Sequence, residues 1–98
     1  MELACNVSAL SEQVRKRHFE ELGPALLATR KSIRELPDGF EFEFPSDAST
    51  LELLSEWATN ERLCCSFLQI EVYNARGLWL RLTGNEGVKQ FIQAEFAR

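Results

Sequence analysis

Pro37-Asp38-Gly39-Phe40-Glu41-Phe42-Glu43-Phe44 is the stretch whose reading decides the fold. Pro37 fixes φ and Gly39 admits a positive one, so the tripeptide reads as a turn. Behind it three phenylalanines alternate with two glutamates at period two, which puts the rings on one sheet face and the carboxylates on the other. The turn pairs this strand with residues 26–36, read as an irregular strand anchored by Ile33 and Leu36. A second hairpin follows further on: Leu68, Ile70 and Val72 alternate against Gln69 and Glu71, and Asn74-Ala75-Arg76-Gly77 turns the chain into Leu78, Leu80 and Leu82.

Helical spacing surrounds the hairpins. Leu10, Val14 and Leu22 recur along a first helix over about 8–22, with Ser8 as N-cap and Gly23-Pro24 as its stop. Pro45-Ser46-Asp47 ends the phenylalanine strand, and Ser49 with Glu52 offers a capping box for a second helix to about residue 63. Thr83 with Glu86 caps a last helix, in which Val88, Phe91, Ile92 and Phe96 form one stripe. The expected fold is α+β, a two-layer sandwich with a four-stranded antiparallel sheet, in the order α-β-β-α-β-β-α. Its outer sheet face carries Glu41, Glu43, Gln69, Glu71, Arg81, Phe67, Tyr73 and Trp79. The two glutamates are expected to be solvated there, and the aromatics make a homodimer through this face an open expectation.

All 98 residues fit a single domain, residues 1–98, because a second core would need more chain. Hydrophobic residues at 45%, with two tryptophans and seven phenylalanines, build a core without obligatory cross-links. A formal net charge of -4 argues against nucleic acid, whose binding needs a basic field. No apolar run approaches a membrane span, and the first residues lack the charged flank and apolar core of a secretory leader. A cytoplasmic protein with neither membrane nor nucleic-acid partner is therefore expected. In that compartment three cysteines should be mostly reduced.

Chemistry concentrates at one helix end. At 100° per residue Leu51, Leu54, Trp57, Ala58, Glu61, Cys64 and Cys65 share an arc of the second helix, with Glu61 near its middle. A carboxylate among leucines needs a partner. Arg30, Arg34, Arg81, His18 or a metal ion held with the sulfurs would answer it, an arginine being the commonest solution. Adjacent cysteines lack the two-residue spacer of a zinc turn, so a zinc ribbon is disfavoured. A soft ion such as Cu(I), or another thiophilic metal, accepts two or three thiolates, and Cys5 supplies a third if the N-terminal segment crosses the helix end. Packed small hydrophobes and a strained vicinal disulfide are the competing readings of Cys64 and Cys65. The negative end of the helix dipole disfavours a reactive thiolate. His18 lies on the apolar stripe of the first helix, on the order of 15 Å along it from Cys5, which argues against one site holding both.

No dinucleotide fingerprint, P-loop, nucleophile elbow, His-Glu-x-x-His or EF-hand loop occurs. The stretch Glu61-Arg62-Leu63-Cys64-Cys65-Ser66-Phe67-Leu68 resembles a Glu-Arg-x-Cys-Cys-Pro-Phe-Leu signature of small uncharacterised bacterial proteins, with Ser66 in the proline position. Leu36–Phe40 and Leu80–Gly84 are similar to further segments of that group, and Cys5 stands where it has an early cysteine. The resemblance implies a shared site at Cys5, Glu61, Cys64 and Cys65 and no established activity. The leading expectation is a non-enzymatic protein that binds a soft or heavy-metal ion through these four residues. A structural or interaction module that dimerises through Tyr73 and Trp79, and a thiol-redox protein, are the alternatives.

Overall fold

Two hairpins meet edge to edge in a single antiparallel sheet of order β1-β2-β4-β3, in a computed structural model that describes residues 5–97. Met1–Ala4, part of the segment expected to lack the pattern of a secretory leader, lies outside the described residues. Strand β1 spans Ser32–Leu36, β2 Gly39–Phe44, β3 Gln69–Asn74 and β4 Leu78–Thr83. Register sets Phe40 opposite Leu82, Phe42 opposite Leu80 and Phe44 opposite Leu78, so the rings of β2 and the leucines of β4 build one apolar face. All six are buried. Gly39 sits where β2 closes on β4, and a Cβ there would overlap the Leu82 carbonyl.

Helices cover that face. They are α1 (Glu12–Arg17), α2 (Gly23–Thr29), α3 (Ala48–Cys64) and α4 (Glu86–Glu95). Asp47 caps α3 by accepting from the Thr50 amide, Asn85 caps α4 by accepting from Val88, and Ser11 caps α1 by accepting from Val14. Ser8, Ser49 and Thr83, the expected caps, serve elsewhere: the Ser8 and Ser49 hydroxyls donate to Asn6 and Asp47, and the Thr83 hydroxyl donates to Gln69. Helix bounds decide it: Ser49 already lies inside α3, two residues past the cap Asp47, whereas Ser8 and Thr83 stand three and two residues before the caps Ser11 and Asn85.

The α+β sandwich and its four antiparallel strands stand as expected, whereas the helix count does not. Gly23-Pro24 fails to stop the first helix. Between α1 and α2 a π-turn spans His18–Leu22, with the Gly23 amide donating five residues back to the His18 carbonyl. Pro24 then falls in the first turn of α2, where its fixed φ fits a helix. Residues expected to begin a strand at 26 are thus helical to Thr29, and β1 starts only at Ser32. Ile33, taken as an anchor of that strand, is exposed, as is Val14 of the first helix. His18, Leu22 and Leu26 are the inward positions instead.

On α3 the buried residues are Thr50, Leu54, Trp57, Glu61 and Cys64, a stripe that excludes Leu51. Phe67 precedes β3 and packs edge-on against Phe91 of α4, on the core side and not on the outer face. Among the described residues no helix is long and apolar enough to cross a membrane.

The outer sheet face hides a charge. Glu41 is 0% exposed, contrary to the solvated glutamate expected there. Tyr73 donates its hydroxyl to Glu41 Oε1 at 2.7 Å, Arg81 donates Nε–H to the same oxygen at 2.7 Å, and Arg34 donates Nε–H to Oε2 at 2.9 Å. Burial alone would raise this carboxyl, but the Tyr73 hydroxyl and the two guanidinium groups outweigh it and bring the pKa down to about 2. The arginines also lie over the aromatics of this face, Arg34 at 4.8 Å from the Trp79 ring centroid and Arg81 at 5.3 Å from that of Tyr73.

Candidate functional site

Helix α3 runs its buried stripe into Cys64 at its last turn and hands the chain to Cys65, whose amide donates to the Glu61 carbonyl at 2.7 Å. The N-terminal segment lies across this end. Asn6 donates its amide to the Cys64 carbonyl at 2.6 Å, which spends one of the orphan carbonyls of the helix terminus. That bond carries Cys5 to Cys65, and a disulfide joins the two with 4.5 Å between Cα atoms. The expectation of mostly reduced thiols is corrected here, as is the vicinal alternative: the cross-link bypasses Cys64 and ties together positions 60 residues apart.

Glu61, 3% exposed, stands at the centre. Its Oε1 lies 3.9 Å from Cys5 Sγ, and its Oε2 lies 2.8 Å from His18 Nε2. The expected arginine is absent from this pair because Arg34 and Arg81 are held on the far side of the sheet by Glu41, and Arg30 donates to the Phe96 carbonyl. His18 was set apart from Cys5 by distance along a helix, yet both reach the same carboxylate. Their meeting depends on the N-terminal segment folding back over α3, a tertiary event that spacing along α1 does not encode.

Sulfur surrounds the other side of the carboxylate. The Cys64 thiol lies 3.7 Å from Cys65 Sγ and 3.7 Å from the Glu61 carbonyl oxygen. Burial, reinforced by the neighbouring Glu61 carboxylate, pushes the Cys64 thiol up to about 11. It is therefore a poor nucleophile at neutral pH. One donor atom from each of Cys5, Glu61, Cys64 and Cys65 falls within 4.8 Å of the others. Thiolates bound about 2.3 Å from one ion sit roughly 3.8–4.0 Å apart, so the spacing suits a shared ion once the disulfide opens. With the bond closed, two of the three sulfurs are taken.

His18 is the residue that sequence reasoning undervalued. Its ring stacks on Trp57 with centroids 5.9 Å apart and meets Phe19 edge-on. With a carboxylate acceptor at Nε2, the remaining ring nitrogen Nδ1 is buried and has no hydrogen-bond partner among the described residues. The signal available beforehand was the pairing of two requirements: a histidine on one apolar stripe and an acid on another each demanded a buried partner. A cavity of about 260 Å³ opens beside the pair, lined by Cys5, His18 and Glu61 together with Phe19, Phe91 and Phe96. Cys64 and Cys65 do not reach it.

Comparison with protein-family models, with curated proteins and with solved structures finds no match to this chain.

Proposed function

We propose that the reduced chain binds one soft, thiophilic metal ion, with Cu(I) as the type case, through the sulfurs of Cys5, Cys64 and Cys65. Glu61 serves as a fourth ligand or as the acid that tunes them. The observation that carries this reading is the convergence of three sulfurs and one carboxylate within 4.8 Å, drawn from both ends of a 60-residue span. Soft sulfur donors select soft ions, and low coordination demand suits a site whose fourth donor is a hard oxygen. The likeness of Glu61–Leu68 to the bacterial Cys-Cys signature, with its early cysteine, supports the same four residues.

Reduction must come first. Opening the Cys5–Cys65 bond takes two electrons and two protons, supplied by two equivalents of a thiol that end as its disulfide, or by a phosphine that takes the oxygen of a water molecule whose protons go to the sulfurs, and it yields two thiols that lose those protons on binding the ion. Binding needs no catalytic group, and the high proton affinity of Cys64 means that uptake competes with protons and releases them.

Native mass spectrometry of reduced protein loaded anaerobically with Cu(I) tests the proposal. One ion per chain, abolished by Cys64→Ser combined with Cys65→Ser and weakened by Cys5→Ser, is the expected outcome. Uptake that ignores these substitutions, or no stoichiometric uptake, overturns it.

A further inference from the structure

The oxidised state presents its two bonded sulfurs unequally. Of the two bonded sulfurs, Cys65 is 0% exposed and shut behind α3, whereas Cys5 is part-exposed and lines the cavity. Thiol–disulfide exchange requires the attacking sulfur to reach one sulfur of the bond in line with the other. Only Cys5 offers that approach from the cavity. The remaining walls combine the rings of Phe19, Trp57, Phe91 and Phe96 with aliphatic surface and the Glu61 and Glu95 carboxylates, and the volume lies below the ~300–1,000 Å³ of pockets for drug-sized ligands, so the occupant is smaller than these. One wall residue, His18, is 1% exposed, and its Nδ1 has no hydrogen-bond partner among the described residues.

We infer that this cavity receives a small thiol with an apolar body, which exchanges with the Cys5–Cys65 disulfide by attack on Cys5. The step balances within the two reactants. The incoming sulfur forms a bond to Cys5 Sγ and is oxidised, and the Cys5–Cys65 bond breaks with both electrons going to Cys65. The proton shed by the incoming thiol ends on Cys65. The products are a mixed disulfide on Cys5 and a free Cys65 thiol, and a second equivalent of small thiol releases the symmetric small disulfide and leaves Cys5 reduced. This inference rests on the disulfide and the cavity and does not need a metal ion.

The test uses the full oxidised chain without metal, exposed separately to benzyl mercaptan and to 2-mercaptoethanol, quenched with iodoacetamide and mapped by peptide mass. The expected result is a mixed disulfide on Cys5, alkylation on Cys65, and a second-order rate about tenfold or more higher for the benzyl thiol, the gain from burying a ring. Leu27→Trp, at the exposed rim of the cavity, should lower the benzyl rate and spare the other. If Cys65 recaptures Cys5 too fast to trap, the Cys65→Ser chain treated with dibenzyl disulfide reports the same preference as an adduct on Cys5. Adducts on Cys64 or Cys65, or equal rates for the two thiols, overturn the inference. Metal uptake is read in a separate experiment, so either result can fail alone.

Discussion

Opening the Cys5–Cys65 bond should weaken the fold by an amount that the loop length sets. The cross-link spans 60 residues of a 98-residue chain, so two of the four strands, β1 and β2, and all of α3 lie inside the closed loop. Releasing that constraint from the unfolded ensemble is worth about 4 kcal/mol at 25 °C on the chain-entropy argument. Little native packing is lost in exchange, since Cys64 and Cys65 stay buried as thiols and the Asn6 amide still bonds to the Cys64 carbonyl. With an m-value of about 1.5 kcal/mol/M, the urea midpoint should fall by about 2.7 M on reduction. Urea unfolding followed by tryptophan fluorescence, with and without a phosphine reductant, measures it, and Cys5→Ser should reproduce the reduced midpoint without reductant. A shift under about 0.3 M in both comparisons would refute the reasoning, because it would mean that the N-terminal segment is not tied to α3 by a bond.

Three further outcomes follow from other parts of the molecule. Glu41→Gln should destabilise the chain at pH 7 by about 2 kcal/mol: the fall of its pKa from 4.5 to about 2 is worth about 3 kcal/mol at full weight, discounted because Arg34 and Arg81 are partly solvated. A depressed carboxyl stabilises above its unfolded pKa, so the difference between wild type and variant should shrink as pH falls from about 4.5 towards 2, as urea titrations at pH 7 and pH 3 will report. Glu61→Leu strands both ring nitrogens of His18 and should cost about 2–3 kcal/mol by thermal or urea unfolding, while Glu61→Leu with His18→Leu should recover part of that loss. Failure of the double variant to improve on the single one would show that the pair is not coupled. Gly39→Ala should cost about 2–4 kcal/mol or prevent folding, because the new methyl has no room against the Leu82 carbonyl, and an unchanged melting temperature would contradict the close approach of β2 to β4.

The sheet was legible because period-two alternation at Phe40–Phe44 and at Leu78–Leu82 leaves no competing helical reading, and the turns carry their own residues. What misled was punctuation. Gly23-Pro24 reads as a stop by composition, but a π-turn at His18–Leu22 shifts the hydrogen-bond register so that proline begins a helix where it would have ended one. Glu41 read as solvated because alternation assigns a face and says nothing of what lies on it; three long side chains from β1, β3 and β4 cover it. At the site, the grouping of Glu61 with Cys64 and Cys65 followed from helical spacing. The reach of Cys5 was conjecture from sequence, and His18 was judged remote, since both depend on how the N-terminal segment crosses α3.

The most direct measurement is an anaerobic titration of Cu(I) into matched oxidised and reduced samples of the full chain, followed by the ultraviolet sulfur-to-copper charge-transfer band. The proposal requires the band to saturate at one equivalent in the reduced sample and to be absent or weak in the oxidised one, where Cys5 and Cys65 are bonded to each other. Equal saturation in both samples, or a flat response in both, would contradict a site built from Cys5, Glu61, Cys64 and Cys65.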